Sequence, residues 1–384
     1  MTDREFQNKC YKFGKDYFGP FILGFVQWLD KTCSADEIEK IFFFSRDGFM
    51  MEKAYKLKGF DKNIEYVYFS RRSIRQALLW NCHTYEESLE FLTEERYVSL
   101  GKILDYYGID ELTKKIIYAE YRIDKELLIE FNSIKENVLI KEIYSQYRKK
   151  INCNSKMQAD LLKKYILQIN MCGKCAIVDI GWHGSMQYYL ERFFENANIE
   201  ADLHGYYVGI NPSYDIRGMV RGYLFEPGEM LLYKSVMCFH GGFEKLFQST
   251  EGSTVGYKEV DGEVCPQIKD YEYSDNLVSR ITTWQNGAME YVISHNFGDI
   301  NLVQPALKLV GFGKNPPIWG VEIFRNFFLD DGQSQKFVSD TLFFKYSMKE
   351  LRHSLGSSVW KTGFLKSLFR IPGPYFLIYK VLKK

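Results

Sequence analysis

Apolar positions in this chain follow two periods, and the change from one to the other marks its elements. Between residues 17 and 30 they recur every three to four positions (Phe18, Phe21, Ile22, Phe25, Trp28, Leu29), which predicts a helix with Pro20 in its first turn. A four-residue apolar run, 41–44, then stops at Ser45-Arg46-Asp47-Gly48 and gives way to a helical pattern carrying Met50, Met51 and Tyr55. The unit repeats: the run 66–69 stops at Ser70-Arg71-Arg72-Ser73, before a helix with Ile74, Ala77, Leu78 and Leu79. It returns in residues 175–187, C-A-I-V-D-I-G-W-H-G-S-M-Q. Here the run 176–178 meets Asp179 and a turn containing Gly181 and Gly184, and Met186, Tyr189, Leu190, Phe193 and Phe194 then fall on one helical face.

Strand, polar turn and helix in succession predict an α/β fold with a mainly parallel sheet and flanking helices. Further strands are predicted at 201–210 and 219–225, and a late β-hairpin turns on Asp261-Gly262 between Val255 and Val264. Between residues 84 and 170 the pattern is helical and charged, as at 86–94, 100–107, 125–132 and 155–167, and reads as an inserted helical subdomain. Helices are also predicted at 276–294 and 304–310. The chain divides into an α/β core (1–83 and 171–270), the helical subdomain (84–170), C-terminal helices (271–350) and a tail (351–384).

Composition adds two points. With 46% apolar and 26% charged residues a sizeable core is available, and the 17% aromatic share is high. The net charge of +1 conceals an asymmetry, because no acid follows Glu350. Arg352, Lys361, Lys366, Arg370, Lys380, Lys383 and Lys384 supply seven positive charges there; without them 43 bases face 49 acids. Interleaved with Trp360, Phe364, Phe369, Tyr375, Phe376 and Tyr379, these cations suit an anionic membrane surface or a tail docked on its own domain. No apolar run approaches the roughly 20 residues needed to span a bilayer. The opening residues lack a signal-peptide shape, so the expected location is cytoplasmic, with peripheral contact on the inner face of the cell membrane. Eight scattered cysteines read as reduced thiols; Cys172 and Cys175 form a C-x-x-C with no second ligand pair for zinc.

In an open α/β sheet, ligands lie at the carboxyl ends of the strands, so the three polar turns are expected to converge on one crevice. The turn after residue 178 offers backbone N–H groups at a helix start, through Gly181, Trp182, His183, Gly184, Ser185 and Gln187, where an anion is favoured. Ser45 and Ser70 add hydroxyls, and Arg46, Arg71 and Arg72 add guanidinium forks that match phosphate oxygens. Asp179 suits a sugar hydroxyl or a metal beside such a phosphate. The stretch E-K-L-F-Q-S-T-E-G-S brings two more carboxylates, Glu244 and Glu251, to a helix-to-strand junction.

Taken together, F-F-F-S-R-D-G-F-M, V-Y-F-S-R-R-S, V-D-I-G-W-H-G-S-M-Q and E-K-L-F-Q-S-T-E-G-S resemble the glycan phosphoribosyltransferase domain of bacterial dual-domain ribofuranosyltransferases, a family of polysaccharide gene clusters. The likeness runs from the opening helix to at least Gly256. It implies an enzyme of surface polysaccharide (O-antigen or capsule) biosynthesis, a glycosyltransferase moving 5-phosphoribose from phosphoribosyl diphosphate (PRPP) to a hydroxyl of a glycan or lipid-linked oligosaccharide and forming a β-ribofuranoside precursor. In that family a haloacid-dehalogenase-type phosphatase is commonly fused to the domain. It is absent from this chain, where Ser45 stands in place of such an enzyme's nucleophilic Asp, so a separate phosphatase is the expected partner and nucleic acid is not. Nor does Asp179 have the acidic neighbour of ordinary PRPP-binding enzymes, since Ile180 follows it. Under this resemblance Asp179 takes the ribose hydroxyls or Mg²⁺, the expected cofactor with PRPP. Asp47 is the first choice as base toward the acceptor, with Glu244 second, and His183 is a phosphate donor or base. Two other readings compete: a sugar-nucleotide-dependent glycosyltransferase, for which the usual D-x-D pair is missing, and a noncatalytic scaffold of a membrane assembly complex.

Overall fold

A computed structural model describes residues 2–93, 97–125, 127–296, 302–330 and 334–382. Glu94, at the end of one predicted helix, and Lys383 and Lys384 of the basic tail lie outside them. The fold is α/β. Five parallel strands, β1 (Lys40–Phe44), β2 (Asn63–Val67), β3 (Gly173–Trp182), β4 (Ala201–Ile210) and β5 (Val220–Gly222), form the central sheet in the order β2-β1-β3-β4-β5. The chain leaves β1 toward one side and later returns to build on the other, so the strand order reverses between β1 and β3. Such a switch point opens a crevice at the carboxyl ends of the two strands.

Both faces of the sheet are covered, as all-parallel sheets require. Ile41, Phe43, Ala176 and Val178 point into one core, with the opening helix α1 (Gly19–Ala35), α2 (Gly48–Leu57), α3 (His240–Phe247) and α4 (Asp275–Ser294). Phe42, Phe44, Cys175 and Ile177 alternate to the other side. There they share a second core with Ile74 of a short helix (Arg71–Gln76), with a long helix (Val138–Gln168) and with α5 (Ser185–Ala197). Residues of the 84–170 segment, among them Ile103, Tyr144 and Leu162, belong to that second core.

Several predicted boundaries move. The helix expected at 17–30 continues a helical run from Asp3–Phe13 through a π-helical turn at Gly14–Phe18. In place of the α-helix expected at 125–132, Leu128–Glu130 pairs as a short antiparallel strand with Tyr97–Ser99, and a 3₁₀ turn follows at Phe131–Glu136. The strand expected at 66–69 ends at Val67, and that expected at 219–225 is only Val220–Gly222. The hairpin forms as expected, Thr254–Val260 pairing with Glu263–Ile268 around Asp261 and Gly262, both at positive φ. The tail is docked: Trp360 is fully buried against Phe239, Phe312 and Phe324, and its indole N–H donates to the carbonyl of Gly313 at 2.8 Å. No helix among the described residues is long and apolar enough to cross a membrane.

Candidate active site at the carboxyl edge of the sheet

The ladder sets the site. Phe43 of β1 lies opposite Val178 of β3, so one step further along β3 comes Asp179, beside the start of the Ser45–Gly48 turn. Asp47 is the N-cap residue of α2, yet its carboxylate makes no capping bond to that helix. Glu244 arrives from α3. These three carboxylates share one field. Asp47 is held far above the usual carboxylate range, first by burial and then by the charges of Asp179 and Glu244, against the opposing pull of Arg46 and Lys245. Asp179 is pushed up to about 6 by burial, with Glu244 adding to the rise; the Ile180 N–H donated to its Oδ1 at 2.8 Å and the Arg71 charge work the other way.

Chain-distant bonds hold the turns together. The Ser249 N–H donates to the Arg46 carbonyl at 3.0 Å, and the Ser45 hydroxyl to the Phe69 carbonyl at 3.2 Å. The Ser70 hydroxyl donates to the Thr254 carbonyl at 2.6 Å and accepts from the Ser73 N–H at 2.9 Å. Glu251, beside them, accepts from Tyr66 at 2.8 Å, Ser249 at 3.1 Å and Tyr68 at 3.4 Å. The turns after β1 and β2 and the 244–254 segment are thereby one assembly around Asp179.

The arginines do not act as a set. Both carboxylate oxygens of Glu272 accept from Arg46 Nη1, at 2.7 and 2.9 Å, which neutralises it. Arg72 pairs with Asp105 of the 84–170 segment at 3.1 Å. Arg71 alone of the three has a charge that acts on Asp179. A crevice expected to be rich in cations is therefore dominated by carboxylates.

The turn after β3 is also shorter than its sequence suggests. Asp179, Gly181 and Trp182 belong to the strand, where Gly181 pairs with Gly209 and Trp182 with Ile210, leaving His183 and Gly184 as the turn proper. Gly184, at φ 74°, starts α5 without any side-chain cap, so the N–H groups of Ser185 and the residues after it open the helix uncapped. His183 is exposed, with Nδ1 3.3 Å from the Asn211 carbonyl and from the Ser213 hydroxyl. Gln187 faces inward: its amide accepts from Tyr207 at 2.9 Å and donates to Glu191 and the Leu203 carbonyl, both at 2.9 Å. Its polar atoms are used by the fold, which removes it from the expected ligand-binding set.

One further member was not anticipated. Lys245, almost completely buried, donates to Gln248 Oε1 at 2.8 Å and lies 3.8 Å from Glu272 and 4.8 Å from the Tyr273 ring centre. Burial, and then Arg46, bring its amine down to about 8. The signal available in sequence was a charged pair inside the apolar run G-G-F-E-K-L-F. Chemically, the crevice joins carboxylates of raised basicity to a helix start and one guanidinium field, a set suited to taking a proton from a hydroxyl and to stabilising a developing positive charge. Neither the models of known protein families nor curated proteins match the chain.

Proposed function

We propose that the protein is a glycosyltransferase of bacterial surface polysaccharide (O-antigen or capsule) synthesis that transfers 5-phosphoribose from PRPP to a glycan hydroxyl. The observation that carries this reading is the group Asp47, Asp179 and Glu244 at the switch point, where burial and the charges of Asp179 and Glu244 raise the proton affinity of Asp47, and burial and Glu244 raise that of Asp179. In such a transfer the bond from the anomeric carbon to the diphosphate breaks with its electron pair leaving on oxygen. The acceptor oxygen bonds to the same carbon from the opposite face, and its proton passes to a carboxylate. Asp47, whose raised proton affinity makes its ionised form the stronger base, takes that proton. Asp179 faces the ribose, where its charge offsets an oxocarbenium-like transition state. The uncapped start of α5 and the field of Arg71 hold phosphate oxygens.

Among the described residues no three His, Cys, Asp or Glu side chains gather into a metal cage. The oxygen donors of Asp179 would suit Mg²⁺ shared with a donor's own phosphates, the usual habit of that ion. When bound, Mg²⁺ would supply positive charge to the departing diphosphate. The same reading places the protein against the inner face of the membrane, where lipid-linked acceptors are presented, with a separate phosphatase removing the 5-phosphate.

The test is donor-dependent product. Purified protein is incubated with radiolabelled PRPP, nucleotide sugars and a panel of lipid-linked oligosaccharides from its own gene cluster. Labelled product with PRPP, lost in Asp47→Asn and in Asp179→Ala while both variants stay folded, is the expected result. Product with a nucleotide sugar alone, or none with any donor, overturns the reading.

A further inference from the structure

The C-terminal helices bury one face and leave another apolar. Tyr375, Phe376 and Tyr379 of the helix Tyr375–Leu382 are buried, whereas Leu377 and Val381 of the same helix are 60% and 69% exposed. Phe344 (75%) and Met348 (66%) stand out in the same part of the chain. Of the 21 large apolar side chains exposed among the described residues, eight lie between Phe343 and Val381, and they include every exposed phenylalanine. Two of them meet each other and the last helix: Phe343 and Phe369 have ring centres 5.3 Å apart, and Phe369 stacks at 6.4 Å on the buried Tyr375. A concentration of this kind marks a contact surface.

Charge identifies what it contacts. Lys345, Lys349, Arg352, Lys366, Arg370 and Lys380 stand among these apolar residues, and the last acid, Glu350, is occupied in capping its own helix at Ser347. Glu322, which Arg370 approaches only to 3.9 Å, is hydrogen-bonded to Arg325 at 2.9 Å. A two-fold contact with a second copy would set these cations against themselves. An anionic bilayer complements both features, accepting phenyl and aliphatic groups at the acyl boundary and the ammonium and guanidinium groups among its headgroups.

We propose that this face, Phe343–Phe344, Met348 and the outer side of the last helix, is where the protein lies on an anionic membrane. The proposal rests on the membrane placement in the reading above and not on its chemistry, so it is tested without donor or acceptor. Deleting residues 351–384 is the wrong perturbation, because it strips Trp360, Phe364 and Leu368 from the core. Point variants at exposed positions keep the fold. The full chain is sedimented with phosphatidylcholine vesicles with and without about one-third phosphatidylglycerol, at low and high salt. Wild type is expected to bind the anionic vesicles, less so at high salt. F344S/M348S and K345Q/K349Q/K380Q are each expected to bind on the order of tenfold or more weakly with unchanged thermal melts. Binding that is equal on neutral vesicles, or unaltered in both variants, overturns the proposal. A dimer detected by light scattering in wild type and lost in F344S/M348S also overturns it, by giving the face to a second copy.

Discussion

Replacing Asp179 with Asn tests whether the crevice holds charge against the interest of the fold. The Asp179 carboxyl has an ordinary value of 3.8 and is pushed up to about 6, mainly by burial. A raised acid favours folding while it keeps its proton. That contribution is complete below pH 3.8 and is lost as the pH rises through about 6, because the folded chain must then carry a buried charge that the unfolded chain carries in water. The gap is worth about 3 kcal/mol. Asn keeps an oxygen for the Ile180 N–H and has no charge to bury. The variant should match wild type near pH 4 and exceed it by about 3 kcal/mol above pH 7 and, under the proposed function, lose transfer activity. Urea unfolding followed by circular dichroism from pH 4 to 8 measures the difference. Because Asp179 also raises Asp47, part of the gain is shared, and Asp47→Asn with Asp179→Asn should stabilise by less than the sum of the two. Unfolding curves that stay superimposed at every pH would refute the argument, since ionising Asp179 would then cost the fold nothing.

Two structural predictions follow from neighbouring residues. Glu272→Gln leaves Arg46 and Lys245 without their shared counter-charge and should cost about 2–4 kcal/mol in urea unfolding; adding Arg46→Met to it should recover part of that loss, whereas additive losses would show that the pair is not coupled. Gly181→Ala places a Cβ 2.5 Å from the Gly209 carbonyl oxygen and 2.8 Å from the Tyr207 Cβ at φ 101°, and should cost about 3 kcal/mol or more. Gly184→Ala, whose Cβ would be crowded most closely by the movable end of Ile216, should cost only about 1 kcal/mol, and equal losses in thermal melts would contradict the strand assignment.

What could be read from the chain divides along the range of the forces involved. Strand β4, the hairpin at Asp261-Gly262 and helix α5 follow from local period and turn chemistry, and they stand where the pattern placed them. Strand β3 does not stop at its first acid, because pairing with β4 carries Asp179, Gly181 and Trp182 on in the ladder. An Asp followed two positions later by a Gly signals a turn in isolation, and here a neighbouring strand overrides it. Three arginines after apolar runs were legible as neighbours of the crevice, but their partners were not. Arg46 meets Glu272 across 226 positions of sequence, and Arg72 meets Asp105 from another part of the chain. Gln187 gave no hint in sequence that Tyr207, Glu191 and Leu203 would occupy its amide.

Those pairings change what kind of ligand the crevice suits. Under the proposed function, with Arg46 paired to Glu272 and Arg72 to Asp105, an approaching diphosphate would meet Asp47, Asp179 and Glu244, with the charge of the buried Lys245 acting on Asp47 and that of Arg71 on Asp179. Bare phosphates are repelled by such a group, so an anionic donor fits only with a cation that it brings or with the carboxylates partly protonated. The raised proton affinity of Asp179 would supply the second condition in part, and its oxygen donors a place for the first. In the proposed transfer, as the anion leaves, the ionised carboxylates would face a positively charged sugar carbon, for which their field is favourable. Under that reading an acidic crevice would serve the cleavage step better than it serves binding, the order of preference that catalysis by differential stabilisation requires.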